Sequence, residues 1–158
     1  MDTEVSRLLN FAYFYLRFRP RTEVEMCKYL EKKAKKFSYA QLSVEKATEK
    51  LEDQKLIDDR QYISWFMEIR GSSKKKSANF LKNELRVRGV PSDIISSYFD
   101  ENIIDEHEGA ARALRSAWRR FQNEDEKKRF QKAAAFLQRK GFGYSVIKRA
   151  IADLEEKE

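Results

Sequence analysis

The chain has 158 residues, 41% of them hydrophobic and 37% charged, with a formal net charge of +7 and an isoelectric point near 9.4. This apolar and aromatic content excludes a disordered chain, and five glycines with two prolines are too few for the turns of an all-β fold, so an all-α protein is expected. The positive balance favours an acidic partner such as nucleic acid, and the single cysteine, Cys27, excludes an intramolecular disulfide and fits a reducing cytoplasm.

The first helix is expected to start near Thr3, with Val5, Leu8, Leu9, Ala12, Tyr13 and Leu16 on one stripe and Phe11, Phe14, Tyr15 and Phe18 widening it. Arg19-Pro20-Arg21 ends it, because a residue before proline resists helical angles. Thr22 then caps a second helix with Glu25 completing a capping box. Met26, Cys27, Leu30, Ala34 and Phe37 form its inner face, and Lys28, Lys32, Lys33, Lys35 and Lys36 its basic outer face. Ser43 is expected to cap a third helix with Val44, Ala47 and Leu51 inward. Leu56-Ile57-Asp58-Asp59-Arg60-Gln61-Tyr62 follows and reads as a helix start. Asp58 is the cap, Gln61 the box partner, and Ile57 with Tyr62 a hydrophobic staple.

The plan then recurs. A helix carries Tyr62, Ile63, Phe66, Met67 and Ile69 and ends at Gly71. Ser72 and Ser73 offer caps for a helix with Ala78, Leu81 and Leu85 inward, which Gly89 stops in a left-handed conformation. Pro91-Ser92 opens the next, with Ile94, Ile95, Tyr98 and Phe99. Ile103-Ile104-Asp105-Glu106-His107-Glu108 repeats the Asp58 signal 47 residues on, with a box from Asp105 to Glu108. Three more helices follow: one with Ala110, Ala113, Leu114, Ala117, Trp118 and Phe121; one with Phe130, Ala133, Ala134 and Leu137, boxed by Asn123 and Glu126 and stopped by Gly141; and one from about Tyr144 with Val146, Ile147, Ala150, Ile151 and Leu154. The expectation is an all-α tandem array of three three-helix repeats (1–56, 57–103 and 104–158), elongated and curved because units this small stack to bury their surface; a single nine-helix bundle is the alternative.

No catalytic constellation is visible, so no enzyme, cofactor or metal is expected. His107, the one histidine, reads as an exposed first-turn residue, and one Cys with one His makes a zinc site untenable. Gly141-Phe142-Gly143 is too short for a phosphate loop. Asp58 is better explained as a cap than as a metal ligand, and Asp59 suits the positive end of the same helix. Trp65 and Trp118 read as core residues. Charge placement is the stronger signal. Lys127, Lys128, Arg129, Lys132, Arg139, Lys140, Lys148 and Arg149 occur in a stretch without an acid, preceded by Arg112, Arg115, Arg119 and Arg120. Lys74, Lys75, Lys76, Lys82, Arg86 and Arg88 form a second basic helix with one acid, Glu84. In register, these faces make a positive stripe for a partner or nucleic acid, with steep salt dependence.

Several motifs together resemble the RecX family of bacterial recombination regulators. Arg19-Pro20-Arg21-Thr22 with Glu25-Met26 resembles its entry into the second helix, and Leu56-Ile57-Asp58-Asp59 with Tyr62 its Leu-hydrophobic-Asp-Asp-x-x-Phe-Ala signature. Leu85-Arg86-Val87-Arg88-Gly89-Val90 and Leu137-Gln138-Arg139-Lys140-Gly141-Phe142 resemble its Leu-x-x-Lys/Arg-Gly-hydrophobic helix ends. Tyr62-Ile63 replaces Phe-Ala, and the first repeat lacks the Lys-Gly turn, having Ala34-Lys35-Lys36-Phe37. The resemblance implies a cytoplasmic, monomeric, non-enzymatic protein of homologous recombination, DNA repair and the SOS response. It would bind the RecA recombinase and its filament on single-stranded DNA and hinder filament growth, ATP hydrolysis, strand exchange and co-protease activity. Direct binding to single- or double-stranded DNA is the other partner expectation; no membrane is involved, since no apolar run nears the roughly 20 residues of a spanning helix and the Met1-Asp2-Thr3-Glu4 start lacks a signal pattern.

Overall fold

A computed structural model describes residues 2–70 and 76–157. Among the described residues there are nine α-helices and no strand: α1 (Asp2–Leu16), α2 (Glu23–Phe37), α3 (Gln41–Asp53), α4 (Asp59–Ile69), α5 (Ala78–Val87), α6 (Ser92–Glu101), α7 (Glu106–Ala117), α8 (Glu126–Arg139) and α9 (Tyr144–Glu156), with a short 3-10 turn at Trp118–Arg120. The all-α expectation holds. By contacts the chain forms two compact units: Met1–Met67 with Leu85–Tyr98, and Glu68–Glu84 with Phe99–Glu158. Residues 57–103 are thus divided between the two.

In the first unit α1, α2 and α3 pack pairwise around Val5, Leu8 and Ala12, Met26, Leu30 and Ala34, and Val44, Ala47 and Leu51, with Ile57 closing the cluster. In the second, α7, α8 and α9 pack around Ala113, Leu114, Ala117, Trp118, Ala133, Leu137, Phe142, Ile147 and Ile151. Trp118 is a core residue as expected; Trp65 is half-buried. Phe37 (44% exposed) and Ile69 (61% exposed) do not join the cores assigned to them, because each sits at the last residue of its helix, where the apolar stripe has run past the packed face.

Helix ends show how the sequence is read locally. The Asp58 carboxylate accepts from the N–H groups of Arg60 (3.0 Å) and Gln61 (3.1 Å), and Asp105 accepts from Glu108 (3.1 Å), as expected of caps. Thr22 and Glu25 form the full capping box. Gly89 (φ +97°) and Gly141 (φ +93°) take the left-handed position of matching helix ends. The Val90 N–H reaches back to the Leu85 carbonyl and the Phe142 N–H to that of Leu137, the Schellman pattern. The first unit has the same turn without glycine: Ser38 is left-handed (φ 58°) and the Tyr39 N–H donates to Ala34. The counterpart of the Lys-Gly turn is therefore Ala34–Tyr39, not absent. Three caps differ from expectation. Ser43 lies inside α3 and is buried; its hydroxyl and the Ala40 N–H both donate to Glu4 of α1 (2.6 and 3.2 Å), which holds that carboxyl below its ordinary value. Asp125, not Asn123, caps α8, accepting from Lys128 at 2.9 Å. Gly71, Ser72 and Ser73 lie outside the described residues, and the N-terminus of α5 is capped by Ser77, whose Oγ accepts from Phe80 at 3.1 Å. The basic helix is consequently shorter than Lys74–Arg88: Lys76 precedes it and Arg88 follows it.

One construction occurs twice. In the first unit the Glu23 N–H, at the start of α2, donates to Asp59 Oδ1 at 2.9 Å. Buried Thr22 donates its hydroxyl to the Arg88 carbonyl at 2.8 Å, and Gly89 lies against Val24 so closely that an added Cβ would sit 2.6 Å from the Val24 Cβ. In the second unit the Ala78 N–H, at the start of α5, donates to Glu106 Oε1 at 2.9 Å, and a Cβ on Gly141 would meet the Ser77 Oγ at 2.5 Å. Asp59 is therefore not an exposed acid on its own helix. It is 7% exposed and completes the cap of another. Burial, and then the neighbouring Glu23, Asp58 and Glu25 carboxylates, raise its pKa against the opposing Glu23 N–H.

The raised Asp59 pKa means the folded state holds its proton more tightly than the unfolded chain, so this group's contribution to stability falls as pH rises from its ordinary value near 3.8 through the folded value. Asp59→Asn keeps the acceptor and drops the charge, and should match or exceed the parent at pH 7, with the difference shrinking as pH is lowered. Asp59→Ala leaves the Glu23 N–H without its acceptor and should cost about 1–3 kcal/mol in urea unfolding. Gly89→Ala should cost at least about 1–3 kcal/mol from left-handed strain alone, whereas Gly143→Ala, where an added Cβ meets nothing, should stay within about 0.5 kcal/mol.

Candidate nucleic-acid interface

In the second unit the Ser77 cap fixes where α5 begins and sets Lys76 immediately before it, one turn from Phe80. The Gly141 turn ends α8 and sets Arg139 and Lys140 at its last turn, one turn from Phe136, where the helix carbonyls favour cations. The 3-10 turn supplies Arg120. These six residues line one cleft of about 420 Å³. Lys76 Nζ stands 4.2 Å from the centre of the Phe80 ring, and Lys140 Nζ and Arg120 Cζ stand 5.1 and 5.9 Å from that of Phe136. No carboxylate lines the cleft. Lys76 is itself paired with Glu84 at 3.5 Å, an acid shared with Arg70 at 3.2 Å. Four cations thus line a cleft with two aromatic rings, and three of them lie over those rings.

The other expected basic residues divide by their partners. Arg129 is held within the second unit, with Glu155 at 3.2 Å, the Glu124 carbonyl and the Trp118 ring. Lys132 pairs with Glu124, and Arg115 and Arg112 share Glu108 at 3.3 and 3.0 Å. Lys82 lies over Phe99 and Lys148 over Tyr144. Arg119, Lys127, Lys128 and Arg149 are exposed. In the first unit Arg86 is exposed, while Arg88 donates to the Tyr62 hydroxyl at 3.0 Å and lies over Phe66. Lys74 and Lys75 lie outside the described residues. His107 is not a free first-turn residue: its Nε2 meets Asp153 Oδ2 of α9 at 2.9 Å. Phe80 and Phe136 were not among the expected site residues. The signal for them is the ring-to-lysine spacing of one helical turn, Lys76 to Phe80 and Phe136 to Lys140.

The signature residues have structural duties. Asp58 and Asp59 cap different helices, Tyr62 is buried under Arg88, and Leu85, Gly89, Leu137, Gly141 and Phe142 build the two helix ends. Among the described residues no group of three or more His, Cys, Asp or Glu is placed to hold a metal ion, and no helix is long and apolar enough to cross a membrane.

Fold and surface together define an all-α protein of three-helix units carrying cations on a ring-floored cleft. Residues 105–151 match the third three-helix domain of RecX. The chain is 28% identical over 155 residues to the regulatory protein RecX of Prosthecochloris aestuarii, covering 97% of each, and 27% identical over 157 residues to that of Geobacillus kaustophilus, of which it spans 55%. It thus spans about half the length of several curated relatives and nearly all of another. RecX from Lactobacillus salivarius has the same fold, with a TM-score of 0.85 over 98% of this chain and 99% of that one at 20% identity. A second crystal structure of regulatory protein RecX gives 0.77 over 94% of this chain and 72% of its own length at 25% identity. The chain is thus similar to RecX proteins over nearly its whole length. Its relatives are named regulatory proteins, not enzymes.

Part-buried ion pairs and open cations should separate on substitution. Arg129→Ala removes a part-buried pair and a ring contact and should cost about 1–2 kcal/mol in thermal or urea unfolding, while Arg139→Ala at the cleft rim should stay within about 0.5 kcal/mol.

Proposed function

We infer that this chain regulates the RecA recombinase: it binds RecA and the RecA filament on single-stranded DNA and restrains filament extension, ATP hydrolysis, strand exchange and co-protease activity. Similarity over nearly the whole chain to proteins named regulatory protein RecX carries this reading. The three-helix division at 1–56, 57–103 and 104–158 belongs to the same proposal. It is supported by the recurrence of the cap joint at Thr22–Asp59–Gly89 and at Ser77–Glu106–Gly141. Successive units that each offer a basic second helix would touch successive protomers of a filament, and several weak contacts held on one chain add up to firm binding. Such a chain lying across neighbouring protomers blocks the addition or exchange of subunits without any chemistry of its own. The cleft at Lys76, Arg120, Arg139 and Lys140 favours a second reading, a basic architectural protein that grips DNA directly.

The deciding measurement is the DNA-dependent ATPase of RecA with substoichiometric protein, alongside binding to bare DNA. A fall in ATPase is expected. Unchanged ATPase with tight binding to bare DNA would replace the regulatory reading with the architectural one. Reversing Arg139, Lys140, Lys148 and Arg149 to Glu should abolish the effect while helicity, followed by circular dichroism, stays at the parent level.

A further inference from the structure

We propose that a hollow in the first unit, lined by Leu16, Pro20, Leu56 and Trp65 with Arg21 and Lys55, receives an apolar side chain of the recombinase together with a carboxylate next to it. The proposal rests on the regulatory reading, which supplies the partner; the hollow supplies the chemistry. Its volume is about 390 Å³, at the lower end of the roughly 300–1,000 Å³ of ligand pockets, so it takes a side chain or two rather than a helix. The fold leaves apolar surface uncovered there. Leu56 is 44% exposed, and Trp65 leans on Tyr62, with 5.4 Å between ring centres, but is only half-buried. Aromatic side chains that line a hollow in this way are the common anchors of protein interfaces.

Charge indicates what covers it. Arg21 is laid 3.6 Å over the Tyr15 ring and donates Nε and Nη2 to the Tyr15 carbonyl, so it is fixed in place. Among the described residues neither Arg21 nor Lys55 forms an ion pair. The one acid in the lining, Asp58, is occupied by the N–H groups of Arg60 and Gln61. Apolar surface beside unmatched positive charge is the complement of an apolar residue next to an acidic one. Lys55 adds a second observation. Its φ is 58°, a left-handed conformation that glycine takes without strain and lysine does not, and Gly89 and Gly141 hold the matching place at two other helix ends. The Lys55 N–H donates to Glu52 and the Leu56 N–H to Leu51, both at 2.9 Å, while the Tyr13 hydroxyl donates to Gln54 at 3.0 Å, so this edge of the hollow is set before a partner arrives. A cation is kept where the backbone favours glycine, which fits use of its charge. A protein segment suits the hollow better than a nucleic-acid strand, which carries a charge at every nucleotide and needs a track of cations, whereas here two cations flank an apolar patch that also holds Asp58. A second copy would bring its own net charge of +7 to the same positive edge.

The test is binding of the full chain to RecA assembled on immobilised single-stranded DNA with a non-hydrolysable ATP analogue, with the same DNA lacking RecA in parallel. The parent should bind the RecA-coated DNA more tightly than the bare strand. Leu56→Gln should weaken binding to the filament by about tenfold. Lys55→Gly should weaken it by about two- to fivefold and reduce its salt dependence, while the melting temperature stays at or above the parent's, which separates the loss from unfolding. Leu42→Gln, at a leucine 47% exposed in α3 and outside the lining, should leave affinity within about twofold. A benzophenone photocrosslinker placed at Gln61, in the lining, should join an apolar stretch of RecA that contains an aspartate or glutamate. Parent-level affinity in both hollow variants, or an equal loss in Leu42→Gln, overturns the proposal and leaves the regulatory reading standing, because the parent still binds RecA. An equal loss on bare DNA assigns the hollow to nucleic acid, and crosslinks to another copy of the chain assign it to self-association; either result overturns the proposal. A parent that binds bare DNA as tightly as RecA-coated DNA removes the regulatory reading and, with it, the partner proposed for the hollow.

Discussion

The start of α2 has more partners than an ordinary helix end requires. A helix leaves four N–H groups without internal acceptors, and a single capping side chain is the usual remedy. Here Thr22 and Glu25 satisfy each other across the turn, and Asp59, from the first turn of α4, takes the Glu23 N–H. The Thr22 hydroxyl then donates to the carbonyl of Arg88, next to a glycine that has no room for a side chain. The cap of one helix is therefore completed by two segments distant in sequence. Thr22 and Asp59 are both buried, so none of the three segments can shift without leaving a polar group unpaired. This is a constraint on register more than a source of large net energy, since each hydrogen bond replaces one with water.

The same constraint explains why paired acids stand at Asp58-Asp59 and Asp105-Glu106. The first of each pair caps its own helix, and the second reaches the start of an earlier one. Two jobs need two carboxylates, and at the first joint it is the second of them that is buried. Asp59 stands in surroundings that disfavour its charge, with Glu23, Glu25 and Asp58 close by, because it is the acceptor for the Glu23 N–H.

Much of this architecture is legible in the residues alone. Apolar spacing predicts the helices and nearly every core residue. The capping box at Thr22 and the glycines at 89 and 141 predict ends that the structure shows in detail, because these signals act over a single turn. What escapes is whatever depends on a partner far along the chain. Asp59 looks like a second, redundant acid until Glu23 is placed beside it. Ser43 looks like a cap because nothing local reveals that Glu4 already serves the start of α3. The turn at Ser38 escapes because glycine is the usual mark of a left-handed residue and serine is not. Among the basic residues, sequence shows the excess but not its disposition. Arg129 and Arg139 look alike in the run of charges, yet Arg129 is tied down by Glu155 and Trp118, whereas Arg139 stands open at the end of the same helix.

The two joints also show how one structural device acquires a surface role. A helix end of the form Leu-x-x-Lys/Arg-Gly-hydrophobic does two things at once: glycine turns the chain, and the cation before it is left beside the last carbonyls, where the helix dipole favours it. What that cation meets is decided by the neighbouring segments. At Arg88 it meets Tyr62 and Phe66 and is used to hold α4. At Lys140 it meets Phe136, with Arg120 over the same ring and Lys76 brought in by the Ser77 cap. No carboxylate is among the residues lining that space, although Lys76 is paired with Glu84 at 3.5 Å. At the place equivalent to Glu25 the second joint carries Phe80, whose ring lies under Lys76. The exchange also removes half of the cap: the Thr22 N–H donates to Glu25, and a phenylalanine offers Ser77 no such acceptor.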